Sequence, residues 1–198
     1  MATETEVKIR LGGGIAGVEA FCQRLLSAGA ECVSERSFED NVLVDFPDGR
    51  LRAAKCALRV RSAGGKGLLT YKGAPVEDSL FKSREELETE VGDPAAALEI
   101  VRRIGMAPGF RYQKYRREFA LDGTHVAVDE TPVGDYAEIE GAQEGILRVA
   151  RKLGVDASAF IRQSYHALHA AHCRERGVPA GDMVFQKPEL EAEPKTEN

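Results

Sequence analysis

Charge in this chain is sorted by parity. Residues 3–11 alternate strictly, with Glu4, Glu6, Lys8 and Arg10 on one face and Thr5, Val7, Ile9 and Leu11 on the other, which is the period of a β-strand. The arrangement recurs downstream: Arg59 and Arg61 flank Val60, Lys114 and Arg116 flank Tyr115, Glu138 and Glu140 flank Ile139, and Arg84, Glu86, Glu88 and Glu90 share a face. A solvated sheet face laced by cross-strand ion pairs is one way to use such strands. The chain also carries amphipathic helices, which need an apolar surface to cover. If they cover the apolar faces of the strands, the charged faces line a concave interior. Closing that sheet gives a barrel with a charged lumen, and about eight strands leave room for side chains or one small ligand. Like charges buried together in that lumen need counterions.

The remaining elements fit a β-rich domain with flanking helices, an α+β chain. Further strands are expected at residues 32–38, 41–45, 57–62, 67–72, 83–91, 111–121, 125–130 and 137–140, with turns at Phe46-Pro47-Asp48-Gly49 and Asp122-Gly123. Ile15, Val18, Phe21, Cys22, Leu25 and Leu26 predict a helix over 15–28 ending at Gly29. Asp93 as N-cap, Pro94 at the first helical position and Gly105 at the stop predict a second. Two more are expected at about 143–153 and 158–174. From Gly177 onward the Pro179, Pro188 and Pro194 pattern and a Glu-rich run read as a flexible, solvated tail over 177–198.

Composition narrows the function. The net charge of −5 gives no reason to expect a nucleic-acid or membrane partner, and neither an apolar run of membrane length nor a signal-peptide core is present, so a cytoplasmic location is expected. The four cysteines form no CxxC pair and sit among apolar neighbours, as reduced, buried thiols would.

The signs of the inward charges suggest a ligand. Lys8, Arg59, Arg61, Lys72, Arg84, Lys114 and Arg116 are more cations than a monocarboxylate or a sugar would need, and they suit a polyphosphate. Glu4, Glu6, Glu138 and Glu140, with Asp129, would repel that anion unless they carried a divalent metal. Hard oxygen donors favour Mg²⁺ or Mn²⁺.

These residues carry a family resemblance. Glu4-Thr5-Glu6-Val7-Lys8 resembles the ExExK signature of the CYTH superfamily, the triphosphate tunnel metalloenzymes. It is followed in order by Leu58-Arg59-Val60-Arg61, Tyr71-Lys72-Gly73, the charged strand from Arg84 to Glu90, Lys114-Tyr115-Arg116, Val128-Asp129-Glu130 and the GDYAEIE run that ends at Glu140. The resemblance covers roughly residues 3–172, so that 1–176 would be one CYTH domain. It implies a closed eight-stranded antiparallel barrel and metal-dependent chemistry on ATP or another triphosphate. It places Glu4, Glu6, Glu138, Glu140, Asp129 and Glu88 (preferred over Glu86 and Glu90) at the metal, and the seven cations at phosphates. Lys8, Lys72 and Asp129 would be the catalytic group. The YKG and GDYAEIEG segments and Ser164-Tyr165 are most similar to the class IV adenylate cyclase branch. Relatives that hydrolyse tripolyphosphate, thiamine triphosphate or nucleoside triphosphates use the same tunnel, and a non-catalytic polyphosphate-binding module is the third reading. A homodimer is left open.

Three further motifs compete as sites. His166, His169 and His172, with Cys173, suggest zinc, but steps of three fan the rings around a helix. Gly12-Gly13-Gly14 before a helix suggests a phosphate cradle, but the lysine and hydroxyl of a P-loop are missing and a strand-ending turn is expected. Tyr136 and Tyr165 are candidates for adenine stacking or for plain packing.

Overall fold

The structure is a computed structural model that describes residues 2–76 and 80–186. Its strands are β1 (Ala2–Leu11), β2 (Glu31–Asp45), β3 (Ala57–Ala63), β4 (Lys66–Lys72), β5 (Lys82–Val91), β6 (Ala107–Leu121), β7 (Thr124–Thr131) and β8 (Gly134–Glu140). They close into an antiparallel barrel in the order β1-β5-β4-β3-β2-β6-β7-β8. The β6–β7 hairpin turns on Asp122 and Gly123, both at positive φ (49° and 78°), the conformation a two-residue hairpin turn demands.

The sheet is inverted relative to an ordinary barrel core. Apolar side chains of β1, β7 and β8 point outward, where α1 (Gly14–Ser27) and α4 (Gln143–Lys152) cover them. Val7, Phe21, Leu25, Val126, Ile139, Ile146 and Val149 are completely buried there. Each such side chain contributes roughly 1.5–3 kcal/mol by leaving water, so the fold is held from outside the barrel and the lumen is free to carry charge. A third helix, α3 (Pro94–Arg103), starts where the Asp93 carboxylate accepts the amides of Ala95 and Ala96, and packs near Val44 and Met106.

Four expectations need correction. The segments 32–38 and 41–45 belong to one strand, β2, whose register slips three times against β6. The loop after Phe46 contains a short helix, α2 (Arg50–Ala53), nucleated by the Asp45 carboxylate, which accepts the amides of Phe46, Leu51 and Arg52. The helix expected at 158–174 is broken. Asp156 caps a 3₁₀ turn (Ala157–Ala159), Ser164 caps α5 (Tyr165–Glu175), and between them Ile161 exchanges backbone hydrogen bonds with Lys8. Finally, residues 182–185, expected in a solvated tail, lie against β6. Met183 is 1% exposed, exchanges backbone hydrogen bonds with Arg111 and Gln113, and packs beside Phe110 and Tyr112. A single methionine leaves no periodicity to read; the rest of the tail, 187–198, lies outside the described residues. No helix among the described residues is long and apolar enough to cross a membrane. All four cysteines are free thiols, two of them buried.

Candidate active site

Strand alternation aims the charged faces of seven strands into a cavity of about 710 Å³. All seven expected cations line it: Lys8, Arg59, Arg61, Lys72, Arg84, Lys114 and Arg116. Of the expected carboxylates, Glu4, Glu6, Glu88, Glu138 and Glu140 also line it, whereas Asp129 does not.

The wall is organised as a belt of alternating charge. Lys8 Nζ lies 2.7 Å from Glu138 Oε1, and Arg116 donates to Glu138 Oε2. Arg116 also grips both oxygens of Asp129 at 2.7 Å. Lys114 donates to Asp129 Oδ2 at 3.0 Å and lies 3.4 Å from Glu39 Oε2, and Arg61 donates to Glu39 Oε1 at 3.3 Å. Cations outnumber carboxylates along this run by one. The pairing sets protonation. Burial pushes the Glu138 and Asp129 carboxyls up, but Lys8 and Arg116 at the first, and Arg116 and Lys114 at the second, outweigh it and hold both below the usual carboxylate range.

Glu6, Glu138 and Glu140 bring one oxygen each within 4.8 Å of one another, the one group of three or more candidate metal ligands found among the described residues. These are hard oxygen donors of the kind Mg²⁺ and Mn²⁺ take. Lys82 pairs with Glu6 here, and Lys8 with Glu138, so cations occupy the place a metal would neutralise. Burial and Glu138 push the Glu6 carboxyl up, yet Lys82 and Lys8 keep it below its ordinary value. Glu4 stands apart, exposed at the mouth, where partial desolvation and then Glu86 raise its carboxyl to about 7.

Other expected ligands have different partners. Asp129 is completely buried, its oxygens committed to Arg116, Lys114 and the Tyr165 hydroxyl, which leaves it no face toward a metal. Glu88 sits with Arg59 and Thr70, Glu86 with Lys72, and Glu90 is exposed beside Lys66. Arg84 lines the cavity, but its guanidinium donates to the carbonyls of Gly73 and Lys55 and so braces the rim. Among the described residues the histidines of α5 gather no metal site; His169 bonds the Gly181 carbonyl at 2.9 Å. Gly12-Gly13-Gly14 is a strand-ending turn, with Gly13 as the N-cap of α1, and lies outside the cavity lining. Tyr136 and Tyr165 pack against each other edge-on, with ring centroids 5.7 Å apart.

Sequence reasoning missed Lys82, Glu39, Asn41 and Tyr112. Lys82 carried a signal, since it has the parity of Arg84 and Glu86, but it precedes the expected start of its strand. The lining also includes the carboxylates Glu118 and Glu140 with His125 between them. It carries an apolar stretch as well, Leu43, Phe46, Leu51 and Phe110, with Asp45, Arg52, Lys55 and His166 in the same lining.

A family model described as the CYTH domain matches residues 2–165. The chain belongs to the CYTH family. A protein of Methanocaldococcus jannaschii named as a candidate adenylate cyclase is 24% identical over 173 residues, 82% of this chain and 95% of the relative. A Vibrio parahaemolyticus structure, also named as a candidate adenylate cyclase, superposes with a TM-score of 0.72 at 18% identity, covering 83% of this chain and 96% of the other. A Hippeastrum protein named as a candidate adenylyl cyclase and described as having a dominant triphosphatase activity superposes with a TM-score of 0.60 at 19% identity, covering 89% and 97%. The CYTH match stops at Tyr165, so α5 beyond its first residue and the segment that carries Met183 lie outside it.

Proposed function

We propose that this CYTH protein is a divalent-metal-dependent enzyme that acts on a triphosphate, with conversion of ATP to cyclic AMP and pyrophosphate as its reaction. One observation carries the reading: a row of buried or half-buried cations runs through a single cavity directly beside three clustered carboxylates. Lys8, Arg59, Arg61, Lys72, Lys114 and Arg116 would hold successive phosphates, Arg through its fork and Lys as a point charge. Glu6, Glu138 and Glu140 would hold Mg²⁺ or Mn²⁺, with Glu4 at the mouth. A bound divalent ion supplies Lewis acidity to phosphoryl oxygens.

Fixed cations around the chain of phosphates stabilise the charge that develops on a leaving pyrophosphate without reorganising during the reaction. The aromatic side chains of Phe46 and Phe110 in the lining support the choice of a substrate with an organic group. Burial, the neighbouring His169 and the charge of Arg52 lower the His166 imidazole below its ordinary value. The second reading, hydrolysis of a triphosphate in the same tunnel, is favoured by the likeness to the Hippeastrum protein.

Products decide between them. With Mg²⁺ or Mn²⁺, ATP should give cyclic AMP and equimolar pyrophosphate, and 3′-deoxy-ATP should bind without turnover because it lacks the nucleophilic oxygen. ADP and phosphate as the products, with 3′-deoxy-ATP cleaved as fast as ATP, would replace cyclase by hydrolase. Failure to bind tripolyphosphate at all would remove both.

A further inference from the structure

Glu39 is a carboxylate that an anion-binding wall should not contain. It is 4% exposed, lies on β2 in register with Lys114 of β6, and is absent from the cavity lining, whereas Arg61, Lys114 and Arg116 line it. Its Oε1 accepts from Arg61, and its Oε2 is 3.4 Å from Lys114 Nζ without completing a hydrogen bond. Asn41, the next residue on the same strand face, accepts from Arg61 Nε at 3.2 Å and fixes the other side of that guanidinium. Burial pushes the Glu39 carboxyl up, but Lys114, Arg116, Arg61 and Arg59 hold it down at about 2, so it is charged across the working range.

A buried charge of this kind is costly unless its partners need it. Without Glu39, Arg61 and Lys114 would share only Asn41 and Asp129, and the middle of the tunnel would carry uncompensated positive charge. Any small anion would then find a strong site there. With Glu39 in place, each cation is already paired, and an incoming anion must offer something a single carboxylate does not. A chain of phosphates does so by engaging several cations at once.

We infer that Glu39 is a specificity-determining positioning residue, which acts through Arg61 and Lys114 to make the tunnel select polyphosphates over single phosphates. The inference rests on the reading of the tunnel as a polyphosphate grip.

The test is calorimetric titration of the full-length protein, at fixed ionic strength and without divalent metal, with inorganic tripolyphosphate and with orthophosphate. In Glu39→Gln the preference for tripolyphosphate should fall about tenfold, the scale of one partly screened charge interaction, chiefly because orthophosphate binds more tightly. Glu39→Asp keeps the charge but shortens its reach, so orthophosphate should stay weak while tripolyphosphate loses several-fold. A folded Glu39→Gln with an unchanged preference would overturn the inference. If that variant fails to fold, Glu39→Asp decides alone: unchanged tripolyphosphate affinity, or orthophosphate gaining as tripolyphosphate falls, rejects the role. A parent protein that binds neither anion would instead defeat the underlying reading.

Discussion

The Tyr165 hydroxyl donates to Asp129 Oδ2 across 2.6 Å, joining the first residue of α5 to the floor of the charged belt on β7. Both residues are buried, and burial together with Asp129 and Glu138 pushes the phenol well above its ordinary range, so it remains a donor. Tyr165→Phe should therefore lose a hydrogen bond to a charged group, roughly 1.5–3 kcal/mol. Urea unfolding of parent and variant measures this, and equal midpoints with equal slopes would show that the bond contributes nothing.

Glu138 and Glu6 are both assigned to the metal but differ in what else they hold. Glu138 neutralises Lys8 and Arg116, with side chains 3% and 8% exposed, whereas Glu6 pairs with the more accessible Lys82. Glu138→Gln leaves two buried cations short of a partner and should cost about 3–5 kcal/mol. Glu6→Gln should cost much less, while Mn²⁺ affinity should fall in both. Chemical denaturation alongside Mn²⁺ titration separates the effects, and parental stability in Glu138→Gln would contradict the belt.

Arg59 donates to the Tyr112 hydroxyl at 3.2 Å and to Thr70 Oγ1 at 3.1 Å, and pairs with Glu88. Arg59→Ala should thus destabilise the ligand-free protein by roughly 1–3 kcal/mol and weaken tripolyphosphate binding by a similar amount. Thermal melts with and without tripolyphosphate report both quantities, because a ligand bound only by the native state raises its stability. A variant that melts higher than the parent when empty would mean that cation crowding outweighs these three bonds.

Acid should act through the same pairs. Glu39 is held at about 2 against an ordinary 4.5. A depressed carboxylate contributes stability that is complete above its unfolded value and is lost as pH falls from about 4.5 toward 2. Urea unfolding between pH 7 and pH 3 should show a shallower decline for Glu39→Gln than for the parent, from a lower starting stability. Parallel curves would indicate that the Glu39 carboxyl is not depressed in the native state.

The barrel and its lining were legible because charge alternates with apolar residues on β1, β3, β6 and β8, and parity survives wherever a strand is regular. Glu39 and Asn41 escaped for the opposite reason. On β2 the pairing is regular from Ser37 to Leu43, but Asp40 shares a face with Phe38 and Val42 while Leu43 shares one with Glu39 and Asn41, which hides the alternation, and the apparent break over residues 39–40 falls on the most deeply placed carboxylate of that strand. Asp129 shows a second limit: parity says that a side chain points inward but not whether Arg116 and Lys114 stand between it and the lumen. The site is therefore readable as an inventory, while its depth order depends on side-chain length and on which cation reaches which oxygen.

Ring closure has a kinetic consequence. β1 ends the sheet at neither side: it pairs with β5 on one flank and with β8 on the other, where Val7 meets Ile139. During synthesis the first strand must wait for nearly the whole domain before its second partner exists, and contacts so distant in sequence slow folding. The closed ring also lacks a free edge from which it could unzip or recruit a strand from another molecule. The same seam that delays assembly thus protects the finished tunnel from opening one strand at a time.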